Sequence, residues 1–229
     1  SAAGACFAAD QTPSMLRTLP DSGFTATALF TVGDRIGDYQ PPGVLDGLAA
    51  FPQENNNGAL RVLVNHELAP SAGYPFMLAN GTTLVGSRIS YLDIDPQSKS
   101  IVAAGPAFDR VRDRAGQPVT DARQINELAG DKRSGLNALC SAAGYRTGEF
   151  GFVDDVYFTH EEATARGDHP HGGSVWVLDI NNKELWALPE LGRSSWENSA
   201  AVATPDMHEP DGHIALLLGD DFEFGGAPL

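Results

Sequence analysis

The sequence predicts an all-β fold, and three observations carry that expectation. Apolar runs are short and are punctuated by Gly, Pro, Asn and Asp. The chain holds 25 Gly and 15 Pro, the residues that set turns, while long helical periodicity is scarce. Several of the runs also close on a pair of polar or acidic groups, and this pattern recurs along the chain.

Taken in order, the expected strands begin with "ATALFTV" (26–32), "ALRVLVNHE" (59–67) and "GSRISYLDID" (86–95). "DVYFTHEE" (155–162), "GSVWVLDI" (173–180) and "ELWALP" (184–189) follow, the last stopped by Pro189. "SAAVAT" (199–204) and "HIALLLGDD" (213–221) complete the set. β-Branched and aromatic residues fill most of these runs, as suits a pleated, half-buried surface. The best helix candidate is "PVTDARQINELAG" (118–130), where Ile125 and Leu128 would dock one or two turns.

Internal similarity narrows the fold class to a β-propeller. "LRVLVNHE" (60–67), "DVYFTHEE" and "HIALLLGDD" are each an apolar strand closing on polar or acidic groups. The first two lead, after a loop, into a Gly-Ser strand ending in Asp. The second of these continues through Asn181 and Asn182 into "KELWALPELG", which reads as a hairpin. A strand ending in acid, a loop and a hairpin describe one propeller blade. Inner strands of a propeller run the same way, so acids at their ends would meet at one mouth. Glu67, Glu162 and Asp221 are spaced 95 and 59 residues apart, wider than a blade of roughly 40–50 residues. A charged, Gly-containing insertion near 106–135 accounts for part of the excess. Residues 1–229 are therefore expected to be one partial propeller domain, about the amino-terminal half of a ring. A second chain or segment would complete it.

With 42% hydrophobic and 20% charged residues, the chain can bury a core. Lys plus Arg number 15 against 30 acids, a formal charge of −15. That field repels nucleic acid and anionic membrane surfaces, and it suits cations. No apolar run approaches the roughly 18 residues of a membrane helix, so no membrane span is expected. The opening "SAAGAC" has the small residues left after signal-peptide removal, which fits a secreted or periplasmic protein.

The chemistry concentrates at the strand ends: His66 and Glu67, Glu161 and Glu162, Glu197 in "GRSSWENSA", and Asp220 and Asp221. Hard cations such as Ca²⁺ take six to eight oxygens, mainly carboxylate and carbonyl. Carboxylates gathered in one place need a counter-charge, so either cations sit among them or they spread into solvent. Cys140, in "SGLNALCSAAGY", has three readings: a small core packer, a thiolate ligand that would favour iron or zinc, or a bridge to Cys6. His169 and His171 form an H-x-H pair in a Pro- and Gly-marked loop, where solvated histidines compete with a metal pair. Arg193 either clamps a phosphate oxygen, as the one candidate catalytic side chain, or pairs with an acid. A G-x-S-x-G elbow, a P-loop and a dinucleotide fingerprint are all missing from the sequence.

"LVNHE" (63–67), Cys140 in its Gly/Ala setting, "THEE" (159–162), "LGRSSWEN" (191–198) and "LLLGDD" (216–221) occur in an order that resembles the PhoX-type alkaline phosphatases. The resemblance spans roughly residues 60–221. It implies a secreted, monomeric β-propeller that uses iron and calcium to hydrolyse phosphate monoesters, the cations neutralising the phosphate and activating an oxygen nucleophile. By the same resemblance Cys140 matches an iron ligand. Glu161 and Glu162 match a metal-binding acid pair, Glu197 the acid of the "GR" segment, and Asp220 and Asp221 the paired Asp. Glu67 matches the first acidic strand end. The family shows two Asn before the Cys and Gly after it, where this chain reads "LNALCSAAG" (136–144). Ala163 replaces the Asn after the Glu pair, and Trp196 replaces a His. The family's further metal- and phosphate-contacting residues match positions beyond Leu229. These departures mark a divergent member. The expected substrate is a small-molecule phosphoester and the expected metals are Ca²⁺ and Fe³⁺. A non-catalytic, metal-stabilised propeller and a calcium-dependent lactonase or esterase propeller stand as alternatives.

Overall fold

The structure is a computed structural model that describes residues 18–53, 58–125, 135–162 and 172–221. In chain order the strands are β1 (Leu45–Gln53), β2 (Ala59–His66), β3 (Phe76–Met77), β4 (Thr83–Gly86), β5 (Arg88–Asp95), β6 (Ser100–Pro106) and β7 (Arg110–Arg112). They continue as β8 (Gly135–Leu136), β9 (Leu139–Tyr145), β10 (Val156–Glu161), β11 (Val175–Asp179), β12 (Glu184–Ala187), β13 (Trp196–Val202) and β14 (Ala215–Asp220). Helical structure among the described residues is limited to three single-turn 3-10 segments. The fold is all-β, as expected.

Four sheets result. The first is an antiparallel sheet in the order β1-β2-β5-β6, and the second has the order β7-β12-β11-β10-β9. β13 pairs with β14, and β3-β4-β8 form a small sheet of their own. β2 and β10 are interior strands covered on both faces, which is why they read as near-continuous apolar runs rather than alternating ones. The hairpin expected at Asn181–Asn182 joins β11 to β12. Asn182 N donates to Asp179 Oδ1, and Lys183 takes the left-handed conformation (φ 53°).

The first two sheets share one core, in which Phe51, Leu63, Ile89, Leu139, Tyr157, Trp176, Leu178 and Leu185 are buried. Each large apolar side chain removed from water contributes about 1.5–3 kcal/mol. β1 lies against β9, and β9 against β13. Small residues make that close approach possible. A Cβ on Gly47 would sit 2.4 Å from Ala142 N, and one on Gly144 would sit 2.5 Å from Ala49 Cβ.

Several expectations need correction. Residues 26–32 form no strand. Leu29 and Phe30 instead pack by side chain on a second core of Ile36, Val64, Leu92 and Ile101, and Asp34 closes the run by accepting from Thr31 N. The helix expected over 118–130 is a single 3-10 turn at Ala122–Gln124 with an Asp121/Gln124 capping box; Ile125 does dock in the core, and 126–130 lie outside the described residues. β1, β6 and β9 fall where no strand was expected. β1, β9 and β13 make the closest approach between sheets, while β2 also meets β9 and β10 also meets β13. The segment 106–135 contributes β7, which joins β12 in parallel, and Gly135 of β8.

Candidate metal centre

The hairpins β1–β2, β9–β10 and β13–β14 end in one shared geometry. Leu45 faces His66, Leu139 faces Glu161, and Trp196 faces Asp220. One residue further along, each second strand reaches back to its partner. Glu67 N donates to Val44 O at 2.9 Å, Glu162 N to Ala138 O at 3.0 Å, and Asp221 N to Ser195 O at 2.9 Å. The register of every hairpin then slips, between Leu45 and Leu48, opposite Thr159–Glu161, and between Trp196 and Asn198. The slips fall on Asp46, Cys140 and Glu197. A bulge re-aims the side chain of the extra residue, so the same local irregularity presents a donor three times.

The result is three donor pairs at one end of the sheets: Asp46 with Glu67, Cys140 with Glu162, and Glu197 with Asp221. Ligand atoms of Asp46, Glu67 and Cys140 lie within 4.8 Å of one another, and so do those of Cys140, Glu162 and Glu197. Cys140 belongs to both groups. Its thiol is buried and unbridged, 3.6 Å from Asp46 Oδ2 and 3.9 Å from Glu197 Oε2. Cys6, the other candidate for a bridge, lies outside the described residues, as do His169 and His171.

Electrostatics explain what this crowding costs. Burial, then the charges of Asp46, Glu162 and Glu197, push the Glu67 carboxyl above its ordinary range. Burial also raises Glu162, with Glu197 and Asp221 adding to the rise. The Cys140 thiol is driven well above its usual value by burial and by the surrounding carboxylates. Among the described residues, no ion pair joins Lys, Arg or His to these six side chains. Five carboxylates and one thiol with no ion-paired basic side chain among the described residues form a donor set that fits cations, the oxygens matching a hard ion and the sulfur a transition metal.

The remaining expected residues lie apart from the two groups. Glu161 is fully buried and braces the hairpin end: Oε1 accepts from Asn137 N and Oε2 from Ser174 N, both at 3.0 Å. Burial lifts its carboxyl to about 7. Asp220 Oδ1 accepts from Ser194 Oγ at 2.6 Å. Exposed Arg193 donates from Nε to Gly172 O at 2.7 Å, near Arg114, whose Nη1 reaches Ser174 Oγ. His160 is buried, with Nδ1 3.0 Å from Ser141 O.

Asp46 is the donor that sequence reasoning missed, because "LDGLAAFPQ" opens a strand on its acid instead of closing one. A spacing rule would have found it. The paired donors are 21, 22 and 24 residues apart, from Asp46 to Glu67, Cys140 to Glu162, and Glu197 to Asp221.

No family model and no curated protein matches the sequence. The chain is similar in structure to PhoX of Pseudomonas fluorescens. That protein was solved in complex with vanadate, a transition state analogue. The similarity has a TM-score of 0.44 at 16% identity, and it covers 78% of this chain and 39% of that one. The chain thus spans about two fifths of the length of the PhoX structure. Among the described residues no helix is long and apolar enough to cross a membrane.

Proposed function

We propose that the protein is a metal-dependent hydrolase of phosphate esters, acting on a small-molecule phosphoester. The observation that supports this most is Cys140 held in common by two adjacent donor groups, an arrangement suited to paired cations. The motif order shared with the PhoX-type phosphatases suggests Ca²⁺ and Fe³⁺ as those cations. In this reading the assemblies that contain the hairpins β1–β2, β9–β10 and β13–β14 are successive blades of a propeller, and a further segment or second chain completes the ring. Secretion or residence in the periplasm follows from the same resemblance.

The chain's own residues set the terms of binding. Asp46, Glu67 and Cys140 would hold one cation, and Cys140, Glu162 and Glu197 a second, with Asp221 beside Glu162. Bound cations supply the positive charge that neutralises a phosphate ester and favours its hydrolysis. Without them, the same carboxylates repel the substrate. Cys140 would give up its thiol proton on ligation, and Glu162, Asp46 and Glu197 are carboxylates within its reach. Arg193, held at Nε by Gly172 O, is the side chain that would contact a phosphate oxygen. Glu161 and Asp220 hold the hairpin ends in register.

The test is turnover of a simple aryl phosphate by the purified protein, before chelation, after chelation, and after Ca²⁺ and iron are restored. Activity that is lost and then recovered supports the reading. A fall in melting temperature on chelation, with no phosphoester turned over, selects the non-catalytic alternative. Lactone hydrolysis without phosphatase activity selects the lactonase.

A further inference from the structure

The first donor group is bridged from behind by a buried amide. Asn65, on β2, has no exposed surface. It crosses from the first sheet to the second, where its Nδ2 lies 2.5 Å from Cys140 O, 3.2 Å from Ser141 O and 2.9 Å from Thr159 Oγ1. The opposite end of the amide is also fixed. Tyr157 Oη, on β10, is 2.9 Å from Asn65 Oδ1 and 2.9 Å from Gly47 O. Thr159, Tyr157 and Asn65 are all completely buried.

These contacts fall on the backbone beside both donors that converge from different sheets. The carbonyl of Cys140 itself is held by Asn65, and the carbonyl next to Asp46, that of Gly47, is met by Tyr157. Both sit in the bulges where the register slips, and a bulge leaves ladder groups without a strand partner. A carbonyl so freed requires a donor from elsewhere; the amide N–H groups serve Cys140 O, and the single phenol O–H is shared between Gly47 O and Asn65 Oδ1.

The neighbouring junction is braced by different groups: Ser141 Oγ donates to Glu197 O, and His160 Nδ1 lies 3.0 Å from Ser141 O. His66, Glu161 and Asp220 occupy matching positions, so Asn65 corresponds to His160 and Gly219. His160 Nε2 has no hydrogen-bond partner among the described residues, and Gly219 has no side chain.

We propose that Asn65, anchored by Tyr157, is the positioning residue that sets the distance between the Cys140 thiol and the Asp46 carboxylate. It does so by holding the backbone of both bulges, and it touches neither cation nor substrate. This inference rests on the metal-centre reading above. Outer partners that orient ligands typically change metal affinity by about 10–100-fold when removed. Loss of the brace therefore acts on affinity and ligand geometry beyond any effect on folding.

The experiment is titration of the metal-free protein with Co²⁺, read by the thiolate-to-Co²⁺ charge-transfer absorption, alongside thermal melting. Tyr157→Phe removes one hydroxyl without opening a cavity, and Asn65→Asp turns an amide donor into an oxygen facing two carbonyls. Tyr157→Phe is expected to weaken Co²⁺ binding about tenfold or more and to shift or weaken the thiolate band, and Asn65→Asp to do so further. Should Asn65→Asp fail to fold, Tyr157→Phe decides alone. Variants that melt lower yet bind Co²⁺ with parental affinity and band would overturn the positioning role. A parent protein with no thiolate band at all would remove the metal-centre reading itself, a separate failure.

Discussion

Cys140 Sγ lies 3.6 Å from Asp46 Oδ2, although 94 positions separate the two residues in the chain. Their strands belong to different sheets, so the contact exists only because β1 and β9 run side by side. Cys140→Ser keeps the size of the side chain and removes the soft sulfur common to both donor groups. The expected outcome is at least a tenfold loss of transition-metal affinity, about 1.4 kcal/mol or more, measured by calorimetric titration against the parent.

The same approach depends on Gly47. Its Cβ in Gly47→Ala would meet Ala142 N at 2.4 Å and Ser141 C at 2.5 Å, both backbone atoms that cannot swing away. The strands must separate, carrying Asp46 from Cys140. We expect a destabilisation of about 1–3 kcal/mol by urea denaturation, together with weaker metal binding. Unchanged affinity would show that the spacing of β1 and β9 does not control the site.

This dependence on small residues also marks the limit of what the sequence made legible. "DVYFTHEE", "GSVWVLDI" and "ALRVLVNHE" announced interior strands through bulk, and β10, β11 and β2 lie there. "LCSAAGY" did not, because a strand squeezed between β1 and β13 must be built from Cys, Ser, Ala and Gly. Periodicity carries no signal for a strand chosen for thinness. Acids that close an apolar run, Glu67, Glu162 and Asp221, were visible. Asp46, which opens one, was not, and the bulges that aim it depend on pairing between distant strands. Glu161 and Glu162 looked equivalent in sequence; alternation on β10 sends the first into the core and leaves the second at the donor cluster.

Glu161 gives the fold a pH dependence of definite sign. Burial lifts its carboxyl from 4.5 to about 7, opposed by the N–H groups of Ser174 and Asn137 and by Arg114. The folded protein therefore binds this proton more tightly than the unfolded chain. Its contribution is complete below about pH 4.5 and is lost as the pH rises through about 7, a change of about 3 kcal/mol. His66, pushed down to about 4 chiefly by burial, works in the opposite direction, so the comparison must cancel it. The difference in melting temperature between parent and Glu161→Gln should vary across pH 4.5–7 and level off outside that window. A constant difference would contradict the assignment.

Core and surface leucines separate cleanly. Leu178 on β11 is fully buried, whereas Leu217 on β14 is 66% exposed. Leu178→Ala is expected to cost about 2–5 kcal/mol in chemical denaturation. Leu217→Ala should stay within about 0.5 kcal/mol of the parent. A large effect at Leu217 would mean that the outer face of β14 is covered in solution.

The account stands or falls on the six side chains of the three hairpin ends holding metal. Elemental analysis of the purified protein, before and after exhaustive chelation and in the Cys140→Ser variant, tests this most directly. The account predicts calcium and iron with the parent protein, lost on chelation and reduced in iron in the variant. Parent protein that carries neither metal, and takes up neither when supplied, would contradict it.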